Sequence, residues 1–139
     1  MKSVFDASVL TPLSIEVATS AQAKVAYRRA SHPVAPAWVM IEAAQTLRKW
    51  ARVANATQDD VAERYAALAV LGVELVDPAP LLESALAIAV AERHSVYDCL
   101  YVATALAEDA DLVTADKMLA AVARDCGVKV TLIGAVPRP

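Results

Sequence analysis

The chain has 139 residues, the length of one domain and enough to bury a core without disulfides or a structural metal. Its composition is 58% hydrophobic and only 5% aromatic, with a formal net charge of −3. This charge argues against nucleic-acid binding by bulk positive charge, and two cysteines are too few for a zinc site of the paired-cysteine kind. A polyanionic substrate would therefore need a local basic patch or a bound cation.

The apolar runs and the first residues of the sequence bear on its expected location. No apolar run approaches the roughly 18 residues of a membrane-spanning helix, and the first residues lack the basic-then-apolar pattern of a secretory signal. We therefore expect a cytoplasmic protein. We expect one domain over residues 1–135 and a flexible tail over residues 136–139.

Short β-branched segments alternate along the chain with longer segments of helical spacing. In chain order the predicted strands are residues 3–6, a weaker strand with two prolines at 33–38, then 73–76, 111–114 and 128–133. The predicted helices are residues 13–30, 39–55, 58–71, 80–93, 96–109 and 117–126. This alternation predicts an α/β fold, with a central parallel sheet of four to five strands flanked by helices on both faces.

Four carboxylates fall where these elements would bring them to one edge of the sheet. Asp6 ends the first predicted strand, and Asp116 follows the fourth by two residues. Glu42 and Asp98 each lie in the first turn of a predicted helix. All strands of a parallel sheet point their carboxyl ends to the same edge, and ligands bind there. We therefore expect the four acids to share one pocket.

Each acid also has an ordinary structural explanation. Asp6 and Asp116 could each cap the helix that follows. Asp98 stands three residues after Ser95, which is the spacing of a capping box. Glu42 could be a surface residue, although no Lys or Arg follows it at three or four residues. None of these explanations predicts a cluster, whereas a hard divalent cation such as Mg²⁺ would stabilise one against charge repulsion.

Three stretches together carry a family resemblance: VFDAS at residues 4–8, IEAAQTLRKW at 41–50 and SVYDCLYVATALAEDADLVTAD at 95–116. They resemble the PIN-domain ribonucleases of the VapC type, which are the toxins of bacterial toxin–antitoxin pairs. The last stretch is the most specific of the three. The resemblance implies an endoribonuclease that uses Mg²⁺ or Mn²⁺, forms a homodimer and is inhibited by a cognate antitoxin at an acidic cleft.

The resemblance also implies roles for individual residues. The catalytic acids of the family fall on Asp6, Glu42, Asp98 and Asp116. Of these, Asp6, Asp98 and Asp116 would hold the metal directly or through water, and Glu42 would help to position the metal or the attacking water. Ser8 and Thr114 match supporting residues that would orient a carboxylate.

Basic residues near the predicted site are candidates for holding RNA phosphates. They are Arg28, Arg29, Arg48, Lys49 and Arg52. Such charges are equally typical of a solvated helix face. His94 is expected to make a local hydrogen bond at the entry of the Asp98 helix. The alternative function is a PIN-like module that binds a partner and has little or no nuclease activity, and carboxylate-dependent metal binding would distinguish the two.

Overall fold

The computed structural model describes residues 1–134, so the predicted tail at 136–139 lies outside the described residues. The strands are β1 (Lys2–Phe5), β2 (His32–Pro36), β3 (Glu74–Val76), β4 (Asp111–Thr114) and β5 (Val130–Leu132). The helices are α1 (Ala7–Leu10), α2 (Ser20–Arg29), α3 (Val39–Ala54), α4 (Gln58–Ala69), α5 (Leu82–Glu92), α6 (Val96–Glu108) and α7 (Lys117–Asp125). Within residues 1–134, no helix has both the length and the apolar character needed to span a membrane.

The five strands form one sheet in the order β3-β2-β1-β4-β5, and every pairing in it is parallel. From β1 the chain builds the sheet outward to one side through β2 and β3, then to the other side through β4 and β5. The chain order therefore switches between β1 and β4, which pair through Val4 with Leu112 and Phe5 with Val113. Ligands of open parallel sheets bind outside the carboxyl ends of the strands at such a switch point.

Helices cover both faces of the sheet. Val4 and Phe5 are neighbours in β1 and so point to opposite faces, yet both are fully buried. On one of these faces the Phe5 ring lies 5.3 Å from the ring of Tyr27 in α2. Strands buried on both sides account for the short, continuously apolar segments of the sequence. The predicted α/β class, with five parallel strands and flanking helices, is confirmed.

The predicted helix over residues 13–30 is wrong in its first third. Residue 13 instead ends a 3₁₀ turn at Thr11–Leu13 that follows α1, and α2 begins only at Ser20. The Ser20 hydroxyl accepts the Val17 N–H at 2.9 Å and donates to the Ile15 carbonyl at 2.9 Å. Because serine bonds readily to nearby backbone groups, it stabilises this non-helical turn. The other predicted elements are confirmed to within two residues at each end.

Candidate active site

Asp6 follows β1 directly, at the switch between β1 and β4, and is only 5% exposed. The Ser8 hydroxyl donates to its Oδ1 at 2.6 Å, and the Thr114 hydroxyl donates to its Oδ2 at 2.7 Å. Its side chain makes no capping hydrogen bond to α1. Asp6 thus stands at the N-cap position of α1, but its carboxylate is held by two hydroxyl groups and does not cap the helix.

The same two hydroxyls tie the end of β1 to the end of β4. Ser8 Oγ accepts the backbone N–H of Ala115 at 2.9 Å, and Thr114 Oγ1 accepts that of Asp116 at 3.0 Å. Each hydroxyl thus accepts from the β4 side while donating to Asp6. This network fixes both oxygens of Asp6 in direction.

Asp116 begins α7 and is a true helix cap. Its Oδ1 accepts the N–H groups of Met118 at 2.9 Å and Leu119 at 3.2 Å. These bonds satisfy two of the backbone donors that every helix start leaves unpaired. The capping explanation is confirmed for this residue, and its side chain also lines the cleft described below.

Glu42 and Asp98 project from the first turns of α3 and α6. The Tyr101 hydroxyl donates to Oε1 of Glu42. Asp98 places its Oδ2 2.9 Å from Nε2 of His94, and its backbone N–H is capped by Ser95 at 3.2 Å. The predicted capping box is thus only half formed, because the Asp98 carboxylate pairs with His94 instead of the Ser95 backbone. The local hydrogen bond expected of His94 is present.

The four acids line one cleft of about 300 Å³. Its other lining residues are Ala7, Ser8, Thr11, Pro12, Ile15, Val17 and Thr46. The acids come from four separate segments of the chain, and the fold brings them together as the sequence predicts. Their catalytic role stays a prediction.

Burial and crowding raise the pKa values of two of the acids. Desolvation is the main reason that the pKa of Asp6 rises to about 7, and the charges of Glu42 and Asp116 add to it. The hydrogen bonds from Ser8 and Thr114 oppose this rise. Burial also raises the pKa of Glu42, with a further contribution from the charge of Asp98. A cation in the cleft would relieve both effects.

The residues of the cleft fit a hard divalent cation that retains part of its water shell. Among residues 1–134, no three acidic, imidazole or thiol groups lie close enough to form a ready-made cage. Mg²⁺ commonly takes only one or two carboxylates directly and reaches others through water. Thr11 Oγ1, buried in the cleft wall, has no hydrogen-bond partner among the described residues, and an ordered water would satisfy it.

Lys49 is the predicted RNA contact that the fold places best. It follows Glu42 by seven residues, which is about two turns along the same face of α3. Thr46 lies between them on that face and lines the cleft. Arg48 and Arg52 are exposed on an adjoining face of the same helix.

Arg28 and Arg29 lie elsewhere. They end α2 just before β2 begins, so they stand at the amino edge of the sheet, whereas Asp6 stands at the carboxyl edge. Arg29 lines a separate groove of about 470 Å³ between α2 and the strands β4 and β5. That groove is larger than the acidic cleft but contains one carboxylate, Asp111. The four predicted catalytic acids all line the smaller cleft.

Tyr101 is a site residue that the sequence analysis did not single out. It stands three residues after Asp98, so both side chains project from the same face of α6. That spacing was the available signal. Its partner Glu42 is 59 residues away in sequence, and no local pattern connects the two.

Comparisons with known proteins agree with this geometry. Residues 3–125 match the family described as the PIN domain. No curated protein matches the chain.

Solved structures provide further matches. PAE2754 from Pyrobaculum aerophilum has a TM-score of 0.72 and 22% identity, over 94% of this chain and 83% of that chain. A toxin–antitoxin complex from Klebsiella pneumoniae has a TM-score of 0.63 and 16% identity, over 82% of this chain and 86% of that chain. VapBC2 from Rickettsia felis, bound to a DNA fragment from its promoter, has a TM-score of 0.65 and 11% identity, over 96% of this chain and 99% of that chain. At these identities the likeness shows the fold alone.

Proposed function

Because this chain belongs to the PIN-domain family, we propose that it is a divalent-metal-dependent endoribonuclease that hydrolyses RNA phosphodiester bonds. PIN domains are generally nucleases and typically use divalent metals. The observation that carries the proposal is the meeting of four carboxylates around the buried Asp6, at the switch point of the sheet. Mg²⁺ or Mn²⁺ is the cofactor that this set of oxygen ligands suits.

In this proposal the acids divide the work of the site. Asp6, Asp98 and Asp116 would hold the cation directly or through water, and Glu42 would position the cation or the attacking water. When bound, the cation lowers the pKa of water and offsets the charge of the phosphate. The hydroxyls of Ser8 and Thr114 keep the Asp6 carboxylate directed, as their hydrogen bonds to its two oxygens indicate.

RNA would approach along α3. Lys49 shares a helix face with Glu42 and could hold a phosphate next to the scissile bond, and Arg48 and Arg52 on the adjoining face of α3 could hold further phosphates. Arg28 and Arg29 are at the opposite edge of the sheet, so we leave them out of the proposed contact. A short basic path of this kind would admit RNA to a chain whose net charge is −3.

We also propose that the chain is the toxin of a toxin–antitoxin pair, and that it forms a homodimer. Two of the similar folds come from a toxin–antitoxin complex and from VapBC2. A protein partner is supported by α5, which leaves Leu82, Leu86 and Val90 exposed in a row at four-residue spacing. Such a row on an otherwise apolar helix is typical of a surface that another protein covers.

A binding module without nuclease activity is the alternative. The complete set of four acids, with hydroxyl groups holding the most buried of them, favours catalysis over binding alone. A module that only binds a partner would have no use for a buried carboxylate with a raised pKa.

The proposal is tested by cleavage of RNA with the purified chain in Mn²⁺, in Mg²⁺ and in EDTA. We expect cleavage with either cation and none in EDTA. Asp98→Asn should lower the rate by about 100-fold or more, because it removes a charged metal ligand. Asp109→Asn at the opposite end of α6 is the matched control and should keep the wild-type rate, since asparagine tolerates the left-handed conformation there.

Two results would contradict the proposal. One is wild-type protein that cleaves no RNA with either cation, which would favour the binding module. The other is full activity in Asp98→Asn, which would remove this residue from the catalytic site.

A further inference from the structure

The Tyr101 hydroxyl is buried next to the acidic cleft, where it bonds to one of the four acids. Tyr101 is 1% exposed, and its hydroxyl donates to Oε1 of Glu42 in α3. Burial and the charges of Glu42 and Asp6 raise the pKa of Tyr101, so its hydroxyl keeps its proton and donates. A buried tyrosine hydroxyl needs a partner, and here the partner is a predicted catalytic acid.

The aromatic residues around Tyr101 fix its ring. Trp38 packs against Tyr101 with ring centroids 5.8 Å apart, and against Tyr97 with centroids 5.3 Å apart. Trp38 precedes Glu42 by four residues at the start of α3, and Tyr97 and Tyr101 lie in the first two turns of α6. These ring contacts hold the two helix starts against each other. The Tyr101 hydroxyl is therefore a rigid donor.

The hydrogen bond from Tyr101 engages only one of the two carboxylate oxygens of Glu42. Oε1 accepts from Tyr101, and among the described residues no hydrogen bond engages Oε2. A carboxylate held at one oxygen keeps the other in a fixed direction. Glu42 lines the cleft, so that direction bears on whatever occupies the cleft.

Resting on the proposed nuclease function, we propose that Tyr101 is a positioning residue that holds Glu42 in the direction needed to act on the bound cation and its water. Hydrogen bonds to carboxylates at metal sites fix the orientation of the carboxylate, and their loss typically weakens metal affinity by 10- to 100-fold. Tyr101 itself would touch neither RNA nor metal.

The test is the Mn²⁺ affinity of Tyr101→Phe, measured by isothermal titration calorimetry. This variant removes one oxygen and keeps the ring contacts. We expect its Kd for Mn²⁺ to rise about tenfold, and the Mn²⁺ concentration for half-maximal RNA cleavage to rise in parallel, with the KM for RNA unchanged. Tyr27→Phe is the matched control, because its hydroxyl donates to the Leu71 carbonyl at 2.6 Å, away from the acids. It should lose stability but keep the wild-type Kd.

A double-mutant cycle with Glu42→Gln tests whether Tyr101 acts through Glu42. Three other carboxylates remain in the cleft, so Glu42→Gln should retain measurable, weaker Mn²⁺ binding. Adding Tyr101→Phe to it should change the Kd less than about twofold, because coupled residues are not additive.

Each of three results would overturn the positioning role: a wild-type Kd in Tyr101→Phe, a full tenfold effect of Tyr101→Phe in the Glu42→Gln background, or a wild-type Kd in Glu42→Gln. Circular dichroism and thermal unfolding establish whether each variant is folded. If Tyr101→Phe does not fold, the Kd of Glu42→Gln still tests whether Glu42 acts on the cation, which the positioning role requires. Failure of the nuclease proposal is distinguishable, because it shows in the wild-type chain as absence of metal-dependent cleavage.

Discussion

At the scale of single residues, Asp6 bears an energetic cost that the fold offsets only in part. Two hydroxyl hydrogen bonds favour its ionised form, yet desolvation prevails and raises its pKa to about 7. A rise from 3.8 to about 7 corresponds to about 4 kcal/mol of unfavourable free energy for the ionised form. Ionised Asp6 therefore destabilises the folded chain unless a cation offsets its charge.

The cost of ionising Asp6 in the folded chain predicts that stability depends on pH. Between about pH 4 and pH 7 the folded state keeps a proton on Asp6 that the unfolded chain has already lost, so the free energy of unfolding falls as the pH rises. From pH 5 to pH 8 in EDTA, we expect wild type to lose about 3 kcal/mol more than Asp6→Asn. Urea unfolding at the two pH values measures this difference.

Asp59→Asn is the control for this experiment, because Asp59 is exposed on α4. It should follow the wild-type pH dependence, and Mn²⁺ at pH 8 should restore part of the wild-type loss. Equal pH dependence in wild type and Asp6→Asn would show that the burial of Asp6 has no such effect.

At the scale of elements, Asp116 is a helix cap whose side chain also lines the acidic cleft. Its Oδ1 caps α7 while its charge reaches Asp6 across the cleft. The sequence left capping and metal binding as alternatives. The structure establishes the cap, and metal binding is the part that needs an experiment.

Two substitutions separate the roles of Asp116. Asparagine caps helices as well as aspartate does, so Asp116→Asn should keep wild-type stability, whereas Asp116→Ala should lose about 1 kcal/mol. Both should lose Mn²⁺-dependent RNA cleavage. Urea unfolding and the cleavage assay together measure this, and an active Asp116→Asn would show that Asp116 is a cap alone.

Elements were also the level at which sequence reasoning worked best and failed most visibly. Local periodicity is enough for β4, whose predicted bounds match the structure, because a short β-branched run between turn residues has few other solutions. Periodicity failed at residues 13–19, where the Ser20 hydroxyl bonds to the backbone of Ile15 and Val17 and the helix begins only at Ser20. Two hydrogen bonds of one side chain leave no periodic signal in the sequence.

At the scale of the whole molecule, the site is a product of topology. The shared carboxyl edge of a parallel sheet was enough to predict that Asp6 and Asp116 lie together, and the pairing of β1 with β4 in the structure makes their strands neighbours. The hydrogen bonds that hold the acids could not be predicted where they join residues far apart in the sequence, as between Tyr101 and Glu42 or Thr114 and Asp6. Such pairs depend on how helices pack on the sheet, which local patterns do not specify.

We propose that four distant segments of the chain build one cation site, and locating Mn²⁺ in a crystal of the chain by anomalous scattering tests this most directly. We expect an anomalous peak in the cleft, within coordination distance of at least one of Asp6, Asp98 and Asp116, and we expect this peak to be lost in Asp98→Asn. A cleft without a peak, at a Mn²⁺ concentration that supports RNA cleavage, would contradict it.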